Sequence, residues 1–232
     1  MTPSERIILA LDVADEAAAL GWVERAGARV GMVKVGLELF VSAGPDLVRK
    51  LHRAGVGVFL DLKLHDIPNT VAGAVRSARR CEAQMLTVHA GGGARMLAAA
   101  VAAAPPEMTL LGVTVLTSLD AAALAELDMP GAVGARVSQW ARLCQRERLG
   151  GVVCSAQEAA AVRQVCGSAM TLVIPGIRPA GAAIGDQARV ATPAQAIRAG
   201  ADYLVLGRAV TAATDPEGVL DAVAREIAGA VS

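Results

Sequence analysis

The stretch VGVFLDLKLHDIPNT, residues 56–70, joins a β-type apolar run to a cluster of charge, with Asp61, Lys63 and Asp66 inside six positions. Side chains alternate along a strand, so Asp61 and Lys63 project to one face while Leu60, Leu62 and Leu64 project to the other. If the leucines pack against helices, the charged pair faces away from them, at the C-terminal end of the strand. Pro68 suits the first position of a following helix, where its missing N–H costs nothing. The stretch therefore reads as one strand, one charged turn and one helix start.

That unit recurs along the chain. Eight short β-type runs are each followed by a helix-forming, Ala-rich segment: RIILALD (6–12), GMVKVG (31–36), VGVFLDLK (56–63), QMLTVHA (84–90), TLLGVTVLT (109–117), GGVVCSA (150–156), MTLVIPG (170–176) and DYLVLGR (202–208). The intervening segments carry helix punctuation, with Asp15 and Thr192 as N-cap candidates and Gly27 and Gly200 near the ends. Strands alternating with helices imply parallel β/α units. Eight units in 232 residues predict an α/β fold of the closed (β/α)8 TIM-barrel kind, as a single domain spanning residues 1–232. An open doubly wound sheet would call for fewer strands and a Gly-rich dinucleotide turn. HAGGGARML (89–97) is the nearest approach to that turn and lacks its spacing.

Composition narrows the function classes. Hydrophobic residues are 54% of the chain and aromatics 2%, so the core must be built from Ala, Val, Leu and Ile with small side chains closing the gaps. Twenty-two basic and 22 acidic residues cancel without a long run of one sign, which argues against nucleic acid and anionic membranes as partners. The four cysteines, Cys81, Cys144, Cys154 and Cys166, are far apart and read as small buried hydrophobes in a reducing compartment. No apolar run reaches the roughly 18 residues of a membrane span, and the N-terminal apolar run is too short for a signal peptide, so a soluble, cytoplasmic protein is expected.

In such barrels the chemistry gathers at the C-terminal ends of the strands. The polar residues at those ends are Asp12, Lys34, Asp61 with Lys63, His89, Thr117 with Ser118, Ser155, Arg178 and Arg208. An isolated D-x-K could be a structural ion pair. Lys34, however, interrupts the apolar run MVKVG, where a lysine is costly to bury unpaired, and Asp12 ends the first run in the same manner. Charges from three neighbouring strands converging on one mouth point to a site. The histidines give no ligand spacing: His52 falls in a helical stretch and is expected exposed, His65 on the leucine side of the motif, and His89 at a strand end.

DLKLHDIPNT resembles the signature of the orotidine 5'-phosphate decarboxylase family in its bacterial form. The resemblance extends in order through LALD, KVGLELF, TVHAGGGARM, GVTVLTS, VIPGIRPAG, GDQARVATPAQAI and GADYLVLGRAVTAATDP, and so covers nearly the whole chain. One departure is Ala209, where the family commonly has proline after GR. The resemblance implies cofactor-independent decarboxylation of orotidine 5'-phosphate to UMP, with no metal. It implies a catalytic array of Lys34, Asp61, Lys63 and Asp66, in which Lys63 stabilises and protonates a carbanion at C6. It further implies a homodimer in which Asp66 and Thr70 enter the neighbouring subunit's site. Substrate contacts are implied for Asp12, Lys34, Asp61, Ile67, Thr70, Thr117, Ser118, Pro175, Arg178, Gln187, Gly207 and Arg208. Of the phosphate candidates, Arg208 is the strongest on chemistry, because a guanidinium binds phosphate in bidentate fashion.

Two rivals share the motif or the barrel. Metal-dependent sugar-phosphate decarboxylases and hexulose-phosphate synthases use a similar D-x-K-x-x-D with a glutamate on the second strand; here that position is Lys34, which repels a divalent cation. The other rival is a barrel that only senses a nucleotide, but all four members of the charged array are present.

Overall fold

The computed structural model describes residues 1–179 and 191–231. All eight expected runs are strands: β1 (Ile7–Ala10), β2 (Met32–Val35), β3 (Gly57–Leu64), β4 (Met85–His89), β5 (Thr109–Val113), β6 (Gly151–Val153), β7 (Thr171–Ile174) and β8 (Tyr203–Leu206). They pair in chain order, all parallel, and β8 closes on β1 through Ile7↔Leu204 and Leu9↔Leu206. Around them run α1 (Glu16–Ala26), α2 (Leu37–Arg53), α3 (Pro68–Arg79), α4 (Gly93–Ala103), α5 (Ala121–Glu126), α6 (Val133–Arg146), α7 (Ala156–Cys166), α8 (Pro193–Arg198), α9 (Arg208–Thr211) and α10 (Pro216–Val231). This is the (β/α)8 TIM barrel. None of its described helices is long and apolar enough to cross a membrane.

The helix starts follow from local chemistry. Asp15 accepts the Ala18 amide at 2.9 Å and caps α1. Thr192 and Gln195 form a reciprocal capping box on α8, satisfying two otherwise orphaned amides. Pro68 occupies the first turn of α3.

Two apolar layers hold the barrel. Inside it, Ile8, Ala10, Phe59, Met85, Leu111, Val173 and Val205 pack on one another. Between strands and helices lies the larger layer of Val, Leu, Ile and Ala expected from the composition. All four cysteines are buried and free, and burial pushes the Cys144 thiol up to about 12, so they act as apolar volume. With few aromatics to fill space, helices must approach the sheet closely. At Gly112 on β5 an added Cβ would overlap Cys144 Sγ of α6 and touch Leu149 at 3.2 Å. Glycine is what lets α6 sit down on β5.

β3 departs from regularity where the site begins. Leu60 pairs with Leu86 and Leu64 with Val88, so four residue steps on β3 face two on β4. Such bulges re-aim side chains beside functional sites. Lys63 absorbs the irregularity with φ 49°, in the left-handed region. The leucine alternation survives: Leu60, Leu62 and Leu64 line one outer hollow with Phe40, Pro45 and Ala78.

Gly112→Ala should destabilise the fold by about 1–3 kcal/mol through overpacking, and adding Cys144→Ala should recover much of that loss. Urea unfolding of the two single variants and the double variant measures the coupling. Additive losses would mean that the two residues do not compete for space.

Candidate active site

The C-terminal ends of β1, β2 and β3 bring four charges into one line. Lys34 Nζ lies 3.0 Å from Asp12 Oδ1 and 3.9 Å from Asp61 Oδ2, and Lys63 Nζ lies 2.8 Å from the same Asp61 oxygen. Asp12, Lys34, Asp61 and Lys63 thus alternate in sign. The inner members are the most enclosed, with side-chain exposures of 12% for both Lys34 and Asp61 against 34% for Lys63 and 55% for Asp12. A carboxylate so enclosed needs its lone pairs filled. Asp61 Oδ2 takes the two ammonium groups, and Asp61 Oδ1 accepts the Thr87 hydroxyl at 2.9 Å.

Lys34, Asp61 and Lys63 form one wall of a cavity of about 170 Å³. The other walls are apolar: Phe59 below, and Val113, Val115, Leu116, Val153, Cys154, Pro175 and Val205 around, with Thr117 supplying a hydroxyl. Cys154 stays a thiol because burial pushes its pKa far up, with the Glu158 charge adding to the rise. Opposed charged and apolar walls suit a ligand with one polar edge and one flat apolar body.

The remaining expected residues are placed unequally. Pro175 and Thr117 line the cavity, whereas Ser118 lies exposed in the turn beyond β5. Gly207 precedes α9 beside Asp12, whose Oδ2 would lie 3.4 Å from a Cβ at that glycine, and Arg208 opens α9 on the exposed rim. Arg178 follows β7; its amide donates to Ala191 O at 3.0 Å and its guanidinium to Ile177 O at 3.1 Å. Gln187 lies outside the described residues. Asp66, Ile67 and Thr70 are exposed at the start of α3, and within this chain Asp66 does not join the line of charge: its Oδ1 accepts the Ile67 amide at 2.6 Å. Ser155 turns away to cap α7, accepting the Gln157 amide and donating to the buried Glu158 carboxylate.

Two histidines sit differently from expectation. His65 leaves the leucine face and stacks on His89, with ring centroids 5.0 Å apart, while Trp140 meets His89 edge-on. His89 Nδ1 accepts the Gly91 amide, and burial lowers its pKa, as do the neighbouring His65 and Lys63 charges. His52 is half-buried on α2 rather than exposed, because the helix turns that face toward the barrel. Thr87 was not singled out in the sequence. Its signal was available, since a hydroxyl within the apolar run QMLTVHA needs a partner when the strand is buried.

Comparisons with known proteins identify the family. The family model described as "Orotidine 5'-phosphate decarboxylase / HUMPS family" matches residues 5–223. This chain belongs to that family. It is 56% identical to the orotidine 5'-phosphate decarboxylase of Anaeromyxobacter sp. (strain K) over 224 residues, covering 97% of this chain and 99% of the relative. The enzyme of the same name from Halorhodospira halophila is 51% identical, with 97% of each chain covered. Among solved structures, orotidine 5'-phosphate decarboxylase from Lactobacillus acidophilus superposes with a TM-score of 0.84 at 34% identity, over 95% of this chain and 98% of that one. In this chain the Lys34 ammonium lies between the Asp12 and Asp61 carboxylates, 3.0 Å from the one and 3.9 Å from the other.

Proposed function

We propose that the chain, as a single domain over residues 1–232, is an orotidine 5'-phosphate decarboxylase that forms UMP and CO2 for pyrimidine biosynthesis, with Lys63 as the catalytic acid. The observation that carries this reading is the Asp12–Lys34–Asp61–Lys63 line set against an apolar cavity. The pyrimidine ring enters the cavity with its carboxylate toward Asp61 and C6 toward Lys63. As the bond from C6 to the carboxyl carbon breaks, CO2 departs and the electron pair stays on C6. No carbonyl is placed to delocalise that pair as an enolate, so stabilisation must be electrostatic. The Lys63 ammonium supplies it, then transfers its proton to C6 and is reprotonated from solvent. A fixed charge in a site walled by apolar side chains acts more strongly than in water and needs no reorganisation as the reaction proceeds. Asp61 opposes the substrate carboxylate in the ground state and ceases to do so once CO2 has left. Lys34 bridges Asp12 and Asp61, balancing the array together with Lys63, and with Asp12 reaches the ribose hydroxyls.

Arg208, the Gly207 amide, Arg178 and Gln187 receive the phosphate, the usual place for phosphate in this barrel being the loops after the last two strands. Thr117, Ser118 and Pro175 contact the pyrimidine. Asp66, Ile67 and Thr70 complete the site of a second subunit in a cytoplasmic homodimer. In support, Asp66 stands exposed and apart from its own array, Leu37 and Val41 expose 54% and 81% of their surface one turn apart at the start of α2, and Ile67 exposes 67% at the cap of α3. Large apolar side chains left exposed beyond the ends of neighbouring strands suit a protein interface.

After EDTA treatment the protein should still consume orotidine 5'-phosphate, read as an absorbance change, and Lys63→Ala should lower kcat by about 10³-fold or more. Inactivity of the chelated protein, restored by Mg²⁺ with a sugar phosphate as substrate, would favour the metal-dependent rival. Tight nucleotide binding without turnover would favour the sensor.

Subunit sharing has its own test. Lys63→Ala and Asp66→Ala are each expected to be nearly inactive, yet mixing them in equal amounts under exchange should restore about a quarter of wild-type activity. Half of the dimers are then mixed, and one of their two sites is intact. No recovery on mixing, with exchange shown by a tag, would place Asp66 in its own subunit's site.

A further inference from the structure

Thr87 sits in the middle of β4, fully buried, opposite the bulge in β3. Val58 directs both its amide and its carbonyl toward the β4 side, so in a regular ladder the Lys63 amide, five residues on, would point away from β4. The extra residues of β3 break that register, and the amide donates instead to Thr87 Oγ1 at 2.8 Å. The same hydroxyl spends its single proton on Asp61 Oδ1 at 2.9 Å. One side chain therefore fixes the backbone of the lysine and the carboxylate of the aspartate together, and the Lys63 ammonium closes the loop onto Asp61 Oδ2 at 2.8 Å.

We propose that Thr87 is a positioning residue for decarboxylation, which holds Lys63 in its left-handed backbone conformation and sets the direction of the Asp61 carboxylate. The inference rests on the roles proposed above for Asp61 and Lys63. A non-glycine residue at φ 49° persists only where its surroundings enforce it, and the hydrogen bond from the Lys63 amide is the enforcement that the bulge leaves available. Threonine suits the task. Its branched Cβ restricts rotation about χ1, and its hydroxyl can accept one bond while donating another. Valine has the same shape and neither capacity. It would leave the Lys63 amide without its acceptor and Asp61 Oδ1 without its donor, freeing both groups to move by fractions of an ångström within an otherwise intact barrel. Displacements on that scale at a reacting centre cost rate far more than they cost binding.

The test compares Thr87→Val, Thr87→Ser and Thr87→Cys with the wild type and with Lys63→Ala, recording kcat, KM, UMP affinity and melting temperature. Thr87→Val is expected to lower kcat by about 10–100-fold while KM and UMP affinity stay within about two-fold, as for loss of a group that orients a catalytic one. Thr87→Ser should return kcat to within about three-fold of wild type, and Thr87→Cys, a weak donor of similar size, should fall between serine and valine. Should valine prevent folding, the ranking of serine above cysteine carries the test. An inactive Lys63→Ala beside an unimpaired Thr87→Val would overturn the positioning role alone. Serine as impaired as valine would do the same by assigning the effect to packing. A fully active Lys63→Ala would overturn the site reading and this inference with it.

Discussion

The site is organised around one buried carboxylate. Asp61 is 9% exposed, and a charge so placed is tolerated only when donors surround it. Three strands provide them: Lys34 from β2, Lys63 from β3 itself and Thr87 from β4. Each donor is thereby fixed by the need to neutralise Asp61, and the positions of the two ammonium groups follow from it. The bulge in β3 belongs to the same constraint. Without the two additional residues between the Leu60 and Leu64 pairings, Lys63 would continue the ladder, and Thr87 would not find both an amide and a carboxylate within reach.

The distribution of charge around the barrel is as consequential as the pairs within it. β1 to β3 present the charges, whereas the strands from β5 onward present Val113, Val153, Val205 and their neighbours. Low-polarity walls on one side limit the screening of the ammonium groups on the other, so the carbanion of the proposed mechanism would form in a field already in place. Few polar groups inside the cavity also means few competing hydrogen bonds for the pyrimidine. In the proposed function, recognition of the remote phosphate falls to the exposed rim, where Arg208 opens α9, and binding energy won there would be realised at the reacting carbon.

Much of this was legible in the sequence because it rests on local patterns. Eight apolar runs alternating with capped, Ala-rich segments leave a parallel barrel as the economical solution, and Asp15, Thr192 and Pro68 mark helix starts by chemistry that needs no tertiary context. Lys34 and Asp61 were legible for a similar reason, since a charge within an apolar strand signals a partner. Thr87 was legible only in part: a hydroxyl within an apolar run signals a partner, but which partners it finds depends on a register shift between two strands, and no property of either strand alone encodes the shift. His65 was misplaced on the leucine side: strict alternation would set it with Asp61 and Lys63, and since β3 ends at Leu64 the chain has left the strand by then and its ring finds His89. Ser155 shows the reverse error of counting every polar strand end toward the mouth, when its hydroxyl is consumed in starting α7.

The central claim is that the Lys63 ammonium faces the carbon that loses CO2. A crystal structure with UMP bound tests it most directly. Lys63 Nζ is expected within about 3–3.5 Å of C6, the separation of groups poised to react, with Asp61 beside the space the carboxylate has left. A pyrimidine bound with C6 turned toward the apolar wall, or a divalent cation lodged between Asp12 and Asp61 with Lys34 displaced, would contradict the account.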